Sequence, residues 1–88
     1  MSFGTFIKEK RLEAGLSLRN FCSKAELDPS NWSKIERDRL AAPDDREKLE
    51  KIASLLKFEK GSNDWLKLFD LVAISKQKIP DYVYSDDE

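Results

Sequence analysis

The sequence predicts a small all-α domain built from five helices, and three observations lead to that fold class. Apolar residues recur at helical spacing almost throughout the chain, and no segment of useful length alternates as a strand does. Glycine, proline and capping residues divide this pattern into five helical segments. With 88 residues the chain can bury one modest core, so we expect one domain at residues 1–79 and an acidic, flexible tail at residues 80–88.

The first two predicted helices each have one apolar face. In the first helix that face consists of Phe3, Phe6, Ile7 and Ala14, and Arg11 lies on the same side. Gly15 ends this helix as a C-terminal glycine does. Ser17 is a favoured N-cap for the second helix, whose apolar face consists of Leu18, Phe21, Cys22 and Ala25. A turn of three or four residues then leads to the third helix.

The third predicted helix begins at the sequence DPSNWSKIER, residues 28–37. Asp28 is a second N-cap, and Pro29 suits the first helical position because its missing N–H has no partner there anyway. Trp32 and Ile35 point inward, and Glu36 shares their side. Two short helices joined by a tight turn form a helix-turn-helix arrangement, in which the outer face of the second helix is left to reach the DNA major groove.

The outer face of the third helix carries polar and basic side chains. Ser30, Lys34 and Arg37 lie at i, i+4 and i+7, with Asn31 beside them. Such side chains can bond to base edges and phosphates. A simple solvated face is the alternative interpretation of the same residues.

The fourth and fifth helices complete the pattern. Pro43 and the acids after it start the fourth helix, and Ser62 or Asn63 caps a fifth helix that runs to about Lys76. The fifth helix is apolar nearly all round, although a surface helix needs only one apolar stripe. We therefore predict a two-fold homodimer interface on it, formed by Trp65, Leu68, Phe69 and Val72. Complete burial within the monomer and docking of a different protein remain open alternatives.

Composition argues against several functional classes. The chain has no histidine, so the commonest general base and the commonest metal ligand are absent. Cys22 lacks an activating histidine, and the adjacent Asp44 and Asp45 fit helix caps better than catalytic acids. We therefore expect a protein that is not an enzyme and binds no metal or cofactor. One cysteine, no signal-peptide pattern and no membrane-length apolar run predict a cytoplasmic protein without a membrane span.

The charge distribution is uneven, although the net charge is only −1. Residues 1–42 contain eight lysines and arginines against six acids, whereas residues 43–88 contain eight against eleven. A basic face in the first half is therefore compatible with the composition.

The segments FGTFIKEKRLEAGLSLRNFC and LDPSNWSKIER, with a proline near position 43 and LEKIASLL after it, resemble the Xre/Cro/C1 family of helix-turn-helix regulators. The resemblance covers about residues 3–58. It implies a compact, lambda-repressor-like five-helix domain that binds double-stranded DNA, usually as a dimer on a pseudo-palindromic site. It also implies a role in transcription regulation, most simply as a repressor. The segment WLKLFDLVAISKQKIP resembles a branch of the family that includes antitoxin-like proteins.

The resemblance also implies roles for individual residues. Ser17 and Arg19 would lie near the DNA backbone, Pro29, Ser30, Asn31 and Lys34 would read bases, and Arg37 and Arg39 would grip phosphates. Arg11 would pair with Glu36 in a partly buried ion pair that locks the first helix to the third. Both residues also lie on apolar stripes, which is unfavourable for unpaired charges.

Three positions depart from the family pattern. Leu18 stands where many members have a glutamine that contacts DNA, and Glu26 and Asp38 stand where many have glycine. The last two positions tend to require a positive φ. With the net charge of −1, these departures suggest a rival interpretation, a protein-interaction module that has lost DNA binding. A further alternative is an antitoxin that autoregulates its promoter and binds a toxin protein through the fifth helix or the acidic tail.

Overall fold

The computed structural model describes residues 1–78, which form five α-helices and no strand within that range. The helices are α1 (Phe3–Glu13), α2 (Leu18–Ala25), α3 (Pro29–Glu36), α4 (Arg46–Leu55) and α5 (Asn63–Lys78). The predicted all-α, five-helix class is therefore confirmed. The acidic tail predicted at residues 80–88, and the domain end predicted at residue 79, lie outside the described residues.

Each helix begins where a short polar side chain accepts a backbone N–H. Ser17 and Asp28 cap α2 and α3 as predicted, and Ser62 rather than Asn63 caps α5. The fourth helix begins later than predicted, because the Asp45 carboxylate accepts from the N–H of Glu47 and makes Asp45 the N-cap. Helix α5 is also longer than predicted and continues to Lys78.

Side chains from all five helices meet in one core. Its most deeply buried members are Phe3, Phe6, Ile7, Phe21, Cys22, Trp32, Ile52 and Leu68. Helix α1 packs on α3 and α5, α2 packs on α3 and α4, and α4 packs on α5. Helix α3 is therefore held mainly by the two helices that precede it.

Three helices are followed by a residue other than glycine in the left-handed conformation. Glu26 and Asp38 have φ of 58° and 63°, which confirms the positive φ expected at both positions. Lys57, after α4, has φ of 62° and was not predicted. Non-glycine residues are disfavoured in this conformation by roughly 1 kcal/mol or more, so tertiary packing holds these turns against a local preference.

Gly4 marks the closest approach of α1 to α3. A Cβ atom built at this position would lie 2.7 Å from the carbonyl oxygen of Glu36 and would also collide with that of Ile35. Only glycine lets the two backbones approach to this distance.

Of the five described helices, none combines the length and apolar content that a bilayer crossing requires.

Candidate nucleic-acid interface

The turn between α2 and α3 is fixed by backbone and capping hydrogen bonds. The N–H of Leu27 donates to the carbonyl oxygen of Cys22 at 2.8 Å, across the left-handed residue Glu26. The carboxylate of Asp28 then accepts from the N–H of Asn31 at 2.9 Å and starts α3. Three residues therefore separate two short helices, as predicted for a helix-turn-helix arrangement.

The inner face of α3 is dominated by one aromatic side chain. Trp32 is only 1% exposed and meets the ring of Phe3 edge-on, with 6.1 Å between centroids. The ring of Phe21 lies 5.4 Å away on another side. Trp32 is therefore a core residue, as its spacing from Ile35 predicted, and its indole is not available to stack on a base.

A buried polar network ties α3 to α1. Arg11 donates from Nε and Nη2 to the two carboxylate oxygens of Glu36 at 2.8 and 2.9 Å, and from Nη1 to the carbonyl oxygen of Leu16 at 2.9 Å. The predicted ion pair is thus confirmed. Its hydrogen bonds with Glu36 are the main reason that the pKa of Arg11 is raised above its ordinary value.

The indole of Trp32 completes this network. Its Nε1–H donates to Oε2 of Glu36 at 2.8 Å, one helical turn further along α3. Sequence reasoning placed the two residues on the same side of the helix but missed this bond. The signal was available, because a buried indole N–H requires an acceptor and Glu36 lies at i+4.

The outer face of α3 presents the residues that the sequence assigned to base reading, together with Arg37, which it assigned to phosphate contact. Pro29, Ser30, Asn31 and Arg37 are exposed, whereas the side chain of Lys34 is half-buried. Arg37 donates from Nε to the carbonyl oxygen of Ser33 within its own helix. Ser17 and Arg19 at the start of α2, and Arg39 after α3, are exposed as well.

Two of these residues, Asn31 and Lys34, lie along a groove of about 500 Å³ between α3, the segment after it and α4. We call it the α3–α4 groove. Leu27, Ile35, Leu40 and Pro43 supply its apolar wall, and Lys48 of α4 adds a second ammonium group. Lys48 was not among the predicted site residues, because nothing in the sequence places α4 beside α3.

Acidic side chains near the outer face of α3 are already engaged. Asp28 lines the α3–α4 groove, but its carboxylate accepts the capping N–H of Asn31. Oδ2 of Asp38 accepts from the hydroxyl of Ser2 at 2.8 Å, which connects the end of α3 to the start of α1. These bonds orient the two carboxylates, although they do not remove their charge.

The residues predicted as a dimer interface on α5 fall into two groups. Leu68 and Val72 are 0% and 6% exposed within the monomer, so they pack into its own core and the prediction that they face a partner is wrong. Trp65 and Phe69 are half-buried, and the guanidinium of Arg46 lies over both rings, 4.6 Å from the centroid of Phe69. The apolar side chains that α5 exposes are instead Leu66, Ala73 and Ile74.

Comparison with known proteins gave no relative of this chain. No family model, no curated protein and no solved structure matches it.

Proposed function

We propose that this protein is a sequence-specific DNA-binding transcriptional regulator, a dimeric repressor that inserts α3 into the DNA major groove. The supporting observation is the division of α3 into two faces. Trp32 and Glu36 anchor the inner face in the core, while Ser30, Asn31 and Arg37 on the outer face are exposed. A helix fixed on one side and polar on the other has the form that major-groove reading requires.

In this proposal the residues divide into readers and backbone contacts. Asn31 and Lys34 carry most of the base reading, since an amide and an ammonium can bond to purine edges. Arg19, Arg37, Arg39 and the N-terminus of α2 at Ser17 contact phosphates and fix the register. A second copy binds across α5, at the surface that includes Leu66 and Ile74, and places a second α3 about 34 Å away along the duplex.

The test is selection from a random duplex library at about physiological salt, followed by sequencing of the bound DNA. We expect an inverted repeat with half-sites about 10 base pairs apart. Affinity for the selected site should fall steeply between about 50 and 200 mM salt, since phosphate contacts release counterions. The variant Lys34→Ala should relax the preference at one position by about 1–3 kcal/mol, and Lys8→Ala on the exposed surface of α1 is its control.

Recovery of random sequence by a chain with native helical content would contradict the proposal. A protein-interaction module would then be the better assignment, and Asp38, next to the proposed phosphate contacts, favours that alternative. The antitoxin alternative shares the DNA site and adds a protein partner, so co-purification of a second protein with the DNA-binding chain would distinguish it from a simple repressor.

A further inference from the structure

The C-terminal end of α5 lies beside the segment that borders the α3–α4 groove. The N–H of Ala42 donates to the hydroxyl of Ser75 at 3.0 Å, and the ammonium of Lys76 pairs with the carboxylate of Asp44 at 2.6 Å. Pro43, between these two anchor points, supplies part of the apolar wall of the groove. The last described turn of α5 therefore lies next to the groove.

The composition of the residues that follow α5 complements the groove. Residues 81–88, DYVYSDDE, contain four acids, two tyrosines and a valine, and no base. The groove offers the ammonium groups of Lys34 and Lys48 against one carboxylate, that of Asp28, which caps α3. Its apolar wall is formed by Leu27, Ile35, Leu40 and Pro43. Carboxylates are attracted to ammonium groups, and aromatic rings pack favourably against aliphatic side chains. The segment and the groove therefore match in charge and in apolar character.

We propose that residues 81–88 dock in cis in the α3–α4 groove, with Tyr82 and Tyr84 against its apolar wall and the acids beside Lys34 and Lys48. The distance permits this. Ten extended residues, 79–88, span at most about 33–36 Å, and the longest extent of the structure is 36 Å. Because the segment is tethered, its effective concentration at the groove is high, and weak charge pairs suffice to hold it there.

Docking in this position would cover Asn31 and Lys34 with negative charge. The docking itself does not depend on any DNA-binding activity, whereas its consequence rests on the proposed function. If α3 reads DNA, the acidic segment competes with phosphate for the same ammonium groups and lowers affinity at low salt. The protein would then carry a segment that competes with operator DNA for the outer face of α3.

The docking is tested without DNA by paramagnetic relaxation enhancement on the full chain. A nitroxide is attached to the variant Ser85→Cys, and Cys22 is a poor competing target because it is 0% exposed and burial raises the pKa of its thiol. At low salt we expect loss of most of the amide peak intensity of Asn31, Lys34, Leu40 and Lys48. At high salt the intensity should recover, since surface charge pairs are screened.

A matched pair of variants tests the charge pairing. Lys34→Gln with Lys48→Gln should abolish the broadening, whereas Lys8→Gln with Lys60→Gln, which removes the same charge from exposed positions outside the groove, should preserve it. Absence of broadening in the groove, or broadening confined to other surfaces, would overturn the proposal. A mixed sample of nitroxide-labelled chain and isotope-labelled chain without nitroxide tests whether docking is in cis. Broadening of the groove amides in the isotope-labelled chain would also overturn the proposal, because the segment would then dock on a second copy.

The consequence for DNA is measured separately. A chain with Asp81→Asn, Asp86→Asn, Asp87→Asn and Glu88→Gln should bind the selected duplex several-fold more tightly at low salt, with the difference lost at high salt. Equal affinity of the two chains, with relaxation enhancement present, would reject the competition but leave the docking. A chain that binds no duplex at all would reject the proposed function and not the docking.

Discussion

Helices α3 and α5 are fixed to the same core by different kinds of contact. The eight residues of α3 bury one indole and one carboxylate, and directional bonds to α1 hold that carboxylate. The sixteen residues of α5 bury Leu68, Leu71 and Val72, which contact the core through aliphatic atoms alone, and Ser75, whose hydroxyl accepts one hydrogen bond from the N–H of Ala42. A helix with a thin apolar stripe is thus located mainly by hydrogen bonds and close backbone contact, whereas a helix with a wide stripe is located mainly by apolar burial.

This difference has a consequence for the outer surfaces. Because few side chains of α3 are needed for attachment, most of its circumference can be polar and available to a partner. Helix α5 uses more of its circumference for packing. The polar anchor of α3 also restricts its orientation more tightly than apolar contact does, because hydrogen bonds are directional.

Removing the polar anchor should have the largest effect. Glu36→Ala removes the carboxylate that accepts from the guanidinium of Arg11 and the indole N–H of Trp32 in a buried site. We expect a loss of about 3–5 kcal/mol in the free energy of unfolding. Urea unfolding followed by circular dichroism measures it. Glu9→Ala, at an exposed position of α1, is the control and should stay within about 0.5 kcal/mol. Equal stability of the two variants would mean that the network does not hold α3.

The apolar attachment of α5 is tested by a matched pair of leucines. Leu68→Ala removes a fully buried side chain and should cost about 2–5 kcal/mol, because a cavity remains where the leucine packed. At a protein concentration low enough to keep the chain monomeric, Leu66→Ala, two residues away and 50% exposed, should change the free energy of unfolding by less than about 0.5 kcal/mol. Thermal and urea unfolding measure both. At a concentration at which the proposed dimer forms, the loss at Leu66 should be larger, because the interface on α5 buries this side chain.

These two leucines show that the sequence did not predict which side of α5 is buried. Both belong to a helix that is apolar nearly all round, and periodicity cannot decide which side of such a helix faces the core. The choice of Leu68 and Val72 as interface residues failed for that reason. The buried side depends on where α1 and α4 lie, and that information is tertiary.

Helix α3 was predicted much more completely. Its start follows from Asp28 and Pro29, and its inner face from the spacing of Trp32 and Ile35. Its ion pair was implied by the family resemblance and supported by the position of both charges on apolar stripes. The close contact at Gly4 was missed, because a glycine inside a helical pattern does not reveal which backbone approaches it. Local chemistry therefore predicted the ends and faces of the helix, while the contacts that locate it had to come from the structure.

That close contact should reverse an ordinary substitution effect. In the interior of a free helix, alanine is favoured over glycine by about 1 kcal/mol. Gly4→Ala should instead destabilise by about 1–3 kcal/mol, because the new methyl group meets the carbonyl oxygens of Ile35 and Glu36 and forces α1 and α3 apart. Urea unfolding measures the loss. A stabilised variant would show that the two backbones can separate at no cost.

Thr5→Ala, one residue further along, is the comparison for Gly4→Ala. Its side chain is exposed, and its hydroxyl forms a hydrogen bond with the Ser2 hydroxyl at 3.0 Å. Losing that exposed bond should cost about 0.5–1.5 kcal/mol at most. A loss at Thr5 as large as the loss at Gly4 would assign the effect to fraying at the start of α1 rather than to helix contact.

The smallest expected effects concern the left-handed residues that follow α3 and α4. Lys57→Gly should raise the free energy of unfolding by up to about 1 kcal/mol, because glycine adopts a φ of 62° without a Cβ penalty and the lysine side chain is exposed. Asp38→Gly relieves the same penalty at a φ of 63° but removes the acceptor of the Ser2 hydroxyl, a bond of about 0.5–1.5 kcal/mol. Its net change should therefore be near zero. Thermal unfolding of the two variants measures the difference. An equal gain in the free energy of unfolding of both variants would mean that the bond between Ser2 and Asp38 does not stabilise α3.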